Sequence, residues 1–285
     1  MSPKRNKRAR IRPGLKQRRF RQRLISYREA KGRPAFRRIP RAAVPSFFTL
    51  MNLFCGFLSL IQVYDGNLEN AAWLIILAGF FDGLDGMMAR LTNGTSLFGV
   101  ELDSLSDVVS FGVAPSFLIW AAGLSEMGTT GVIIASLPAL AGAIRLARFN
   151  ISFEGTKGDY FSGLPIPVSA AVIVAIILNE DLLQDLFLGN GDLRIVTTTV
   201  ILLAGLMVST IPFDSFPQPS AAYIRKKPLK AILGVASLGI LVVFREPGLL
   251  VLLIVYLGFG IGRSLTMFFK ALRDIEPAED FNSKE

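Results

Sequence analysis

The chain has 285 residues, 51% of them hydrophobic, with a mean hydropathy of +0.48, 31 Lys and Arg against 22 Asp and Glu, one Cys and no His. Without His there is no Ser-His-Asp or Cys-His relay and no His-ligated metal. Cys55, alone inside an apolar run, makes neither an intrachain disulfide nor a thiolate metal site. What remains is a hard cation held by oxygen and a carboxylate or Lys as general base.

The chain opens on a basic segment. Of the 31 cations, 17 fall within the first 41 residues, where Glu29 is the only acid. Charge alone suits a nucleic-acid arm, but the segment adjoins an apolar run and reads as a polybasic tail, residues 1–43, lying on anionic lipid. It is too long and too basic for a cleaved secretory signal. No nucleic-acid partner is expected.

Apolar runs then follow one another. A helix crosses a bilayer with about 20 apolar residues. Candidate spans are Val44–Tyr64, Ala71–Arg90, Phe98–Gly123, Thr130–Ala147, Leu164–Leu178, Ile195–Ile211, Lys230–Phe244 and Gly248–Phe268. The fifth and seventh are short. A soluble protein with buried helices would need charged outer faces, yet Ile195–Ile211 carries no charge. The expected fold class is therefore all-α, a polytopic membrane bundle. It has six core helices and two further spans, a transmembrane domain over 44–268 and a C-terminal tail over 269–285.

With the N-terminus in the cytoplasm, the outer loops hold only Arg194 and Arg245 of the cations. The inner ones hold the basic tail, Lys157, Arg225, Lys226, Lys227, Lys270 and Arg273. This is the positive-inside asymmetry, so both termini are expected in the cytoplasm and the protein in the cell (inner) membrane. Trp73 and Trp120 read as interface-belt residues.

Ionisable residues inside spans are expensive and by default functional. Here they concentrate in one stretch. Asp82 and Asp85 are spaced i, i+3 and Asp103 and Asp107 i, i+4, so on helices each pair shares a face. Asn93-Gly94 and Gly99 between them read as a cytoplasmic turn. Folding that hairpin brings two carboxylate pairs together near the cytoplasmic ends of the second and third spans. Four acids that close repel strongly unless a cation neutralises them. All-oxygen ligands suit Mg²⁺ or Mn²⁺, with Ca²⁺ also admitted. Two such ions together are a device for clamping a phosphoryl centre. A single Arg90 cannot balance four acids as a packing device. The residues alone thus predict a metal-dependent, membrane-embedded site facing the cytoplasm and acting on a phosphate ester. The other function class is a carboxylate-lined cation transporter, which needs acids near the bilayer midplane with access from both sides.

The string Asp82-x2-Asp85-Gly86-x2-Ala89-Arg90-x8-Gly99-x3-Asp103-x3-Asp107 resembles the full signature of the CDP-alcohol phosphatidyltransferases. Further strings resemble the branch whose acceptor is L-serine: Pro45 to Gly56, Ser106 to Pro115, Arg145 to Asn150 and Gly163 to Pro167. The resemblance covers about residues 44–220. It implies transfer of the phosphatidyl group from CDP-diacylglycerol to the serine hydroxyl, with release of CMP, by a homodimer. Another alcohol such as glycerol 3-phosphate is the next acceptor to consider. It also implies that Asp82, Asp85 and Asp103 hold divalent ions, two in the family pattern, and that Asp107 shares the second and acts as general base. The CDP-diacylglycerol set it implies is Ser46, Thr49, Asn52, Gly86, Arg90 and Ser96. Relatives commonly carry Asn where this chain has Ser46.

For the acceptor, Arg145 and Arg148 lie one turn apart at the cytoplasmic end of the fourth span, with Asn150 just beyond. An Arg fork matches a carboxylate. The same arginines also fit the role of positive-inside anchors reaching lipid phosphate.

Overall fold

The computed structural model describes residues 43–92, 96–153, 163–186, 193–211, 213, 243–244, 246–260, 262–263 and 266. All belong to one compact unit, Arg41–Glu285. The basic tail, the Asn93-Gly94 turn, nearly all of the expected Lys230–Phe244 span and the C-terminal tail lie outside the described residues. Every regular element described is a helix, so the class is all-α. Among the described residues four helices are long and apolar enough to cross a membrane, namely Ala43–Tyr64, Leu68–Thr92, Phe98–Ala121 and Leu124–Asn150. Three shorter apolar helices accompany them, Ile166–Leu178, Leu193–Val208 and Glu246–Gly260. The chain is a multi-pass membrane protein.

Helix α1 (Ala43–Tyr64) ends where Gly66 takes a positive φ of 79° and Asn67 N–H donates to Gln62 O at 2.8 Å. Only a residue without a Cβ makes this reversal cheaply. The chain returns at once as α2 (Leu68–Thr92). The pair is close because α2 turns Ala71, Ile75 and Ala78 inward, and because Ser59 Oγ donates to Ala71 O at 3.0 Å. Outward-facing Phe47, Leu50, Phe54, Phe57 and Ile61 of α1 are exposed. That is the pattern of a helix whose solvent on that side is apolar.

Helix α3 (Leu97–Asp107) starts one residue after Ser96, whose Oγ accepts from Gly99 N–H at 3.0 Å. Gly99 therefore sits in the first turn of α3 and not in the turn before it. An N-capping hydroxyl outweighs glycine's poor helix propensity at such a position. From Val108 to Val113 the ladder widens to a π-helical segment, and α4 (Ala114–Ala121) continues the same span. Pro115 supplies a reason: it brings no N–H for the Phe111 carbonyl, and its ring crowds that carbonyl. Phe117 and Trp120 stack one turn apart at 5.5 Å and 14°. Trp120 is thus half-buried against its own helix.

After the short turn Leu124–Met127, α5 (Gly128–Phe153) runs through Pro138 and carries Arg145, Arg148 and Asn150 within one helix. Gly163, at φ 87°, leads into α6 (Ile166–Leu178). Its N–H donates to Ile211 O at 2.9 Å and that of Leu164 to Leu206 O at 3.0 Å. These bonds fasten the non-helical entry to the end of α8 (Leu193–Val208). Most of α6 is buried, so it is the central helix of the bundle. Its 13 residues give a length of ~20 Å. Between α6 and α8 lies α7 (Glu180–Leu186), a helix in what the charge pattern reads as a loop. The last is α9 (Glu246–Gly260).

At one contact α1 and the π segment leave no space for a side chain. A Cβ on Gly56 would lie 2.7 Å from Ser110 Cα. Gly56→Ala should therefore destabilise the bundle by about 1–3 kcal/mol, read as a lowered unfolding midpoint in detergent. Gly83→Ala, where an added Cβ meets nothing within 4 Å, should not lower the midpoint and should raise it slightly, by the helix-propensity gain of about 0.5–1 kcal/mol.

Candidate active site

Helices α2 and α3 present their acids to one another. The carboxylates of Asp82, Asp85 and Asp103 each offer an oxygen, and these three oxygens lie within 4.8 Å of one another. Asp107, one turn beyond Asp103, is buried and within electrostatic range of the other three. The sequence expectation of two facing pairs is thus met in space. Asp85 is seven residues from the end of α2 and Asp103 six from the start of α3. At 1.5 Å per residue both lie ~10 Å from the same end of the hairpin. That placement suits a site at one membrane face and not a midplane ion path.

Asp107 is held by α1. Asn52, fully buried, donates from Nδ2 to Asp107 Oδ1 at 3.3 Å, while Ser110 Oγ donates to the Asn52 carbonyl at 2.9 Å. The π segment follows Asp107 directly and carries Ser110. Such bulges often sit beside functional residues because they re-aim the side chains around them. Asn52 therefore contacts the acid, and Ser110, which lies in the Ser106 to Pro115 string but has no role assigned from it, supports that contact.

Beside the triad is a cavity of about 110 Å³ lined by Pro45, Ser46, Thr49, Asp85, Gly86, Ala89, Ser96, Gly99, Val100 and Asp103. Four of the six residues expected to hold the nucleotide lipid, Ser46, Thr49, Gly86 and Ser96, are in its wall. Asn52 is not, and Arg90 is exposed near the end of α2. Thr49 Oγ1 donates to Pro45 O at 3.1 Å. A Cβ on Gly86 would meet nothing within 4 Å, so the helix backbone stands open there.

A hard cation fits this donor set. Asp85 Oδ2 and Asp103 Oδ1 are buried and accept no hydrogen bond among the described residues. Buried anionic oxygens without a donor are costly, and a divalent ion with oxygen ligands satisfies them.

The three acceptor candidates on α5 differ. Arg145 is buried, its Nε has no hydrogen-bond partner among the described residues, and it is in electrostatic contact with Asp107. Arg148 donates from Nη2 to Val208 O at 2.9 Å and Met207 O at 3.4 Å. It thereby caps the carbonyls at the end of α8, which lack helical partners. Of the two arginines expected to form the fork, Arg148 Nη2 is thus bound at the end of α8, while Arg145 lies buried within electrostatic range of Asp107. Asn150 Nδ2 donates to Ser104 Oγ at 3.1 Å and so ties α5 to α3.

A conserved-domain model for the CDP-alcohol phosphatidyltransferases matches residues 42–211. The chain belongs to that family. Among its relatives is a Helicobacter pylori protein named CDP-diacylglycerol–serine O-phosphatidyltransferase, 38% identical over 177 residues, 62% of this chain and 74% of that one. A Bacillus subtilis protein of the same name is 36% identical over 178 residues, 62% of this chain and 93% of that one. An archaetidylserine synthase of Methanothermobacter thermautotrophicus is 43% identical over 133 residues, 46% of this chain and 56% of that one.

The acidic cluster generates a binding test that is independent of turnover. Mn²⁺ titrated into the purified protein should bind and raise the unfolding midpoint with concentration. Asp103→Asn, which removes an anionic ligand at nearly constant volume, should weaken Mn²⁺ by more than about tenfold. Electron paramagnetic resonance of free Mn²⁺ reads both.

Proposed function

We propose that this enzyme transfers the phosphatidyl group of CDP-diacylglycerol to the hydroxyl of L-serine, giving phosphatidylserine and CMP. The observation that carries this is the acid triad beside the cavity, with Asp107 held one turn away by Asn52. The printed names of the bacterial relatives support serine as acceptor. The basic N-terminal segment and the sparse positive charge of the opposite loops support cytoplasmic termini and a cytoplasm-facing site in the inner membrane.

Asp82, Asp85 and Asp103 would hold the ions, with Asp107 sharing one. Mg²⁺ or Mn²⁺ bound there supplies charge to polarise the diphosphate and to balance the departing CMP. The residues of the chain do the rest. Thr49, Ser46 and the Gly86 backbone line the space that takes the nucleotide end of the lipid. Arg145 holds the serine carboxylate and so turns the hydroxyl toward Asp107. Asp107 accepts the hydroxyl proton as the serine oxygen bonds to the lipid-side phosphorus. The bond between the two phosphoryl groups then breaks, and its electron pair leaves with CMP. Asn52 keeps the accepting oxygen oriented through each turnover.

CMP release from CDP-diacylglycerol, measured with a panel of serine, glycerol 3-phosphate, inositol and ethanolamine, tests the assignment. Serine should be preferred by orders of magnitude. Equal or better turnover with glycerol 3-phosphate would transfer the chain to a different branch of the family.

Arg145→Ala should raise the serine KM about ten- to a hundredfold, the worth of a charge-assisted bond of roughly 1.5–3 kcal/mol. The CDP-diacylglycerol KM should hardly move. Equal damage to both would put Arg145 in the nucleotide site.

A further inference from the structure

A second cavity, of about 380 Å³, is larger than the one beside the triad. On α2 it begins at Gly79, one turn before Asp82, and runs away from the acids to Trp73. Its other walls are Phe111 of the π segment, α6 from Pro167 to Leu178, and the start of α9 at Glu246. Pro167 and Leu178 are ~16 Å apart along α6, so the cavity is a slot lying parallel to the helices. The family match ends at residue 211, and the α9 wall lies outside it. Asn179 fixes that wall: its Nδ2 donates to Ala175 O at 2.8 Å and to the Glu246 carbonyl at 3.1 Å.

What fills the slot follows from its chemistry. A buried water needs two to four polar partners. The wall offers the Glu246 carboxylate and the Trp73 indole, both at the end away from the acids. Left empty, the apolar wall forfeits dispersion contacts along its whole length. An apolar cavity of about 150 Å³ takes a benzene ring, and on that scale this slot has room for a chain of about a dozen carbons. A bilayer supplies such chains.

The mouth selects the headgroup. Glu246 is half-buried there, and exposed Glu180 and Asp181 open α7 just past Leu178. Arg194 and Arg245 are the cations of the loops at this end, and the acids outnumber them. Carboxylates beside an indole attract an ammonium and repel headgroups of net negative charge.

We propose that this slot binds one chain of a bilayer phospholipid of the ethanolamine type, with a primary ammonium and no net negative charge. The chain lies between α2, α6 and α9, and the ammonium meets Glu246. The site is separate from the cavity beside the triad and does not depend on which acceptor the enzyme uses.

Trp73 and Trp120 are the two tryptophans of the chain, so in Trp120→Phe the slot residue alone reports. The protein is placed in phosphatidylglycerol bilayers with a rising fraction of brominated phosphatidylethanolamine. Trp73 fluorescence should fall steeply and saturate at a low fraction, whereas boundary lipid alone quenches in proportion to its fraction. Brominated phosphatidylglycerol should quench only in proportion. Ala171→Phe and Gly79→Leu fill the slot from opposite walls; a Cβ on Gly79 lies at an ordinary 3.8 Å from the Phe111 ring. Each should convert the saturating curve to a proportional one without lowering the unfolding midpoint. Glu246→Gln should weaken the ethanolamine preference by up to about fivefold, the worth of a half-exposed ion pair. Proportional quenching by the ethanolamine lipid in the starting protein would overturn the proposal. So would saturation that survives both filling variants, which places the lipid elsewhere. Saturation by both lipids alike would overturn the headgroup assignment.

Discussion

The packing of this bundle answers to one electrostatic demand: carboxylates must be held together where little water reaches them. Two unit charges about 4 Å apart repel by ~4 kcal/mol at an effective dielectric of about 20, and here three carboxylates share such a space with a fourth close by. No helix pair holds that arrangement by propensity. It is held because α2 and α3 are clamped by α1, which packs against both. The same α1 supplies the neutral amide that meets Asp107.

Close approach is what makes the clamp work, and small residues provide it. Gly56 lets α1 touch the backbone of the π segment, and Ala71 and Ala78 let α2 lie against α1. On the other side Gly142 accepts the Ile166 side chain, and Gly112 lies against Ala139. These contacts gather the π segment, α5 and α6 around one centre. In an apolar solvent, packing of this kind replaces the hydrophobic effect as the force between helices. Hydroxyls add to it without exposing charge, as Ser59 and Ser104 do between neighbouring helices.

The acids could be read from the sequence because their spacing is local: i, i+3 and i, i+4 on a helix fix a shared face whatever the fold around them. The same holds for the first four spans, whose apolar length alone marks them. What the sequence hid was set by contacts distant along the chain. Asn52 and Asp107 are 55 residues apart, and nothing in either neighbourhood says that they bond. The sequence pairs Arg148 with Arg145 as a fork, and its bond to the end of α8 comes from a residue 60 positions away. The π segment has a cause in Pro115, but a proline in an apolar run as often merely kinks. Gly99 was placed in a turn because glycine usually belongs there, and the hydroxyl of Ser96 decided otherwise. The attachment of α9 lay beyond any motif, in the stack of Tyr256 on Phe213.

The depth of the acid cluster, ~10 Å from one end of the α2–α3 hairpin, constrains the traffic of lipid. A substrate with its phosphates at that depth keeps its tails in the adjacent half of the bilayer, and the product leaves from the same position. Headgroup exchange of this kind never requires a phosphate to traverse the hydrocarbon interior. A site at that depth would enrich a single leaflet in its product, and any asymmetry so created would persist until some other protein moved lipid across.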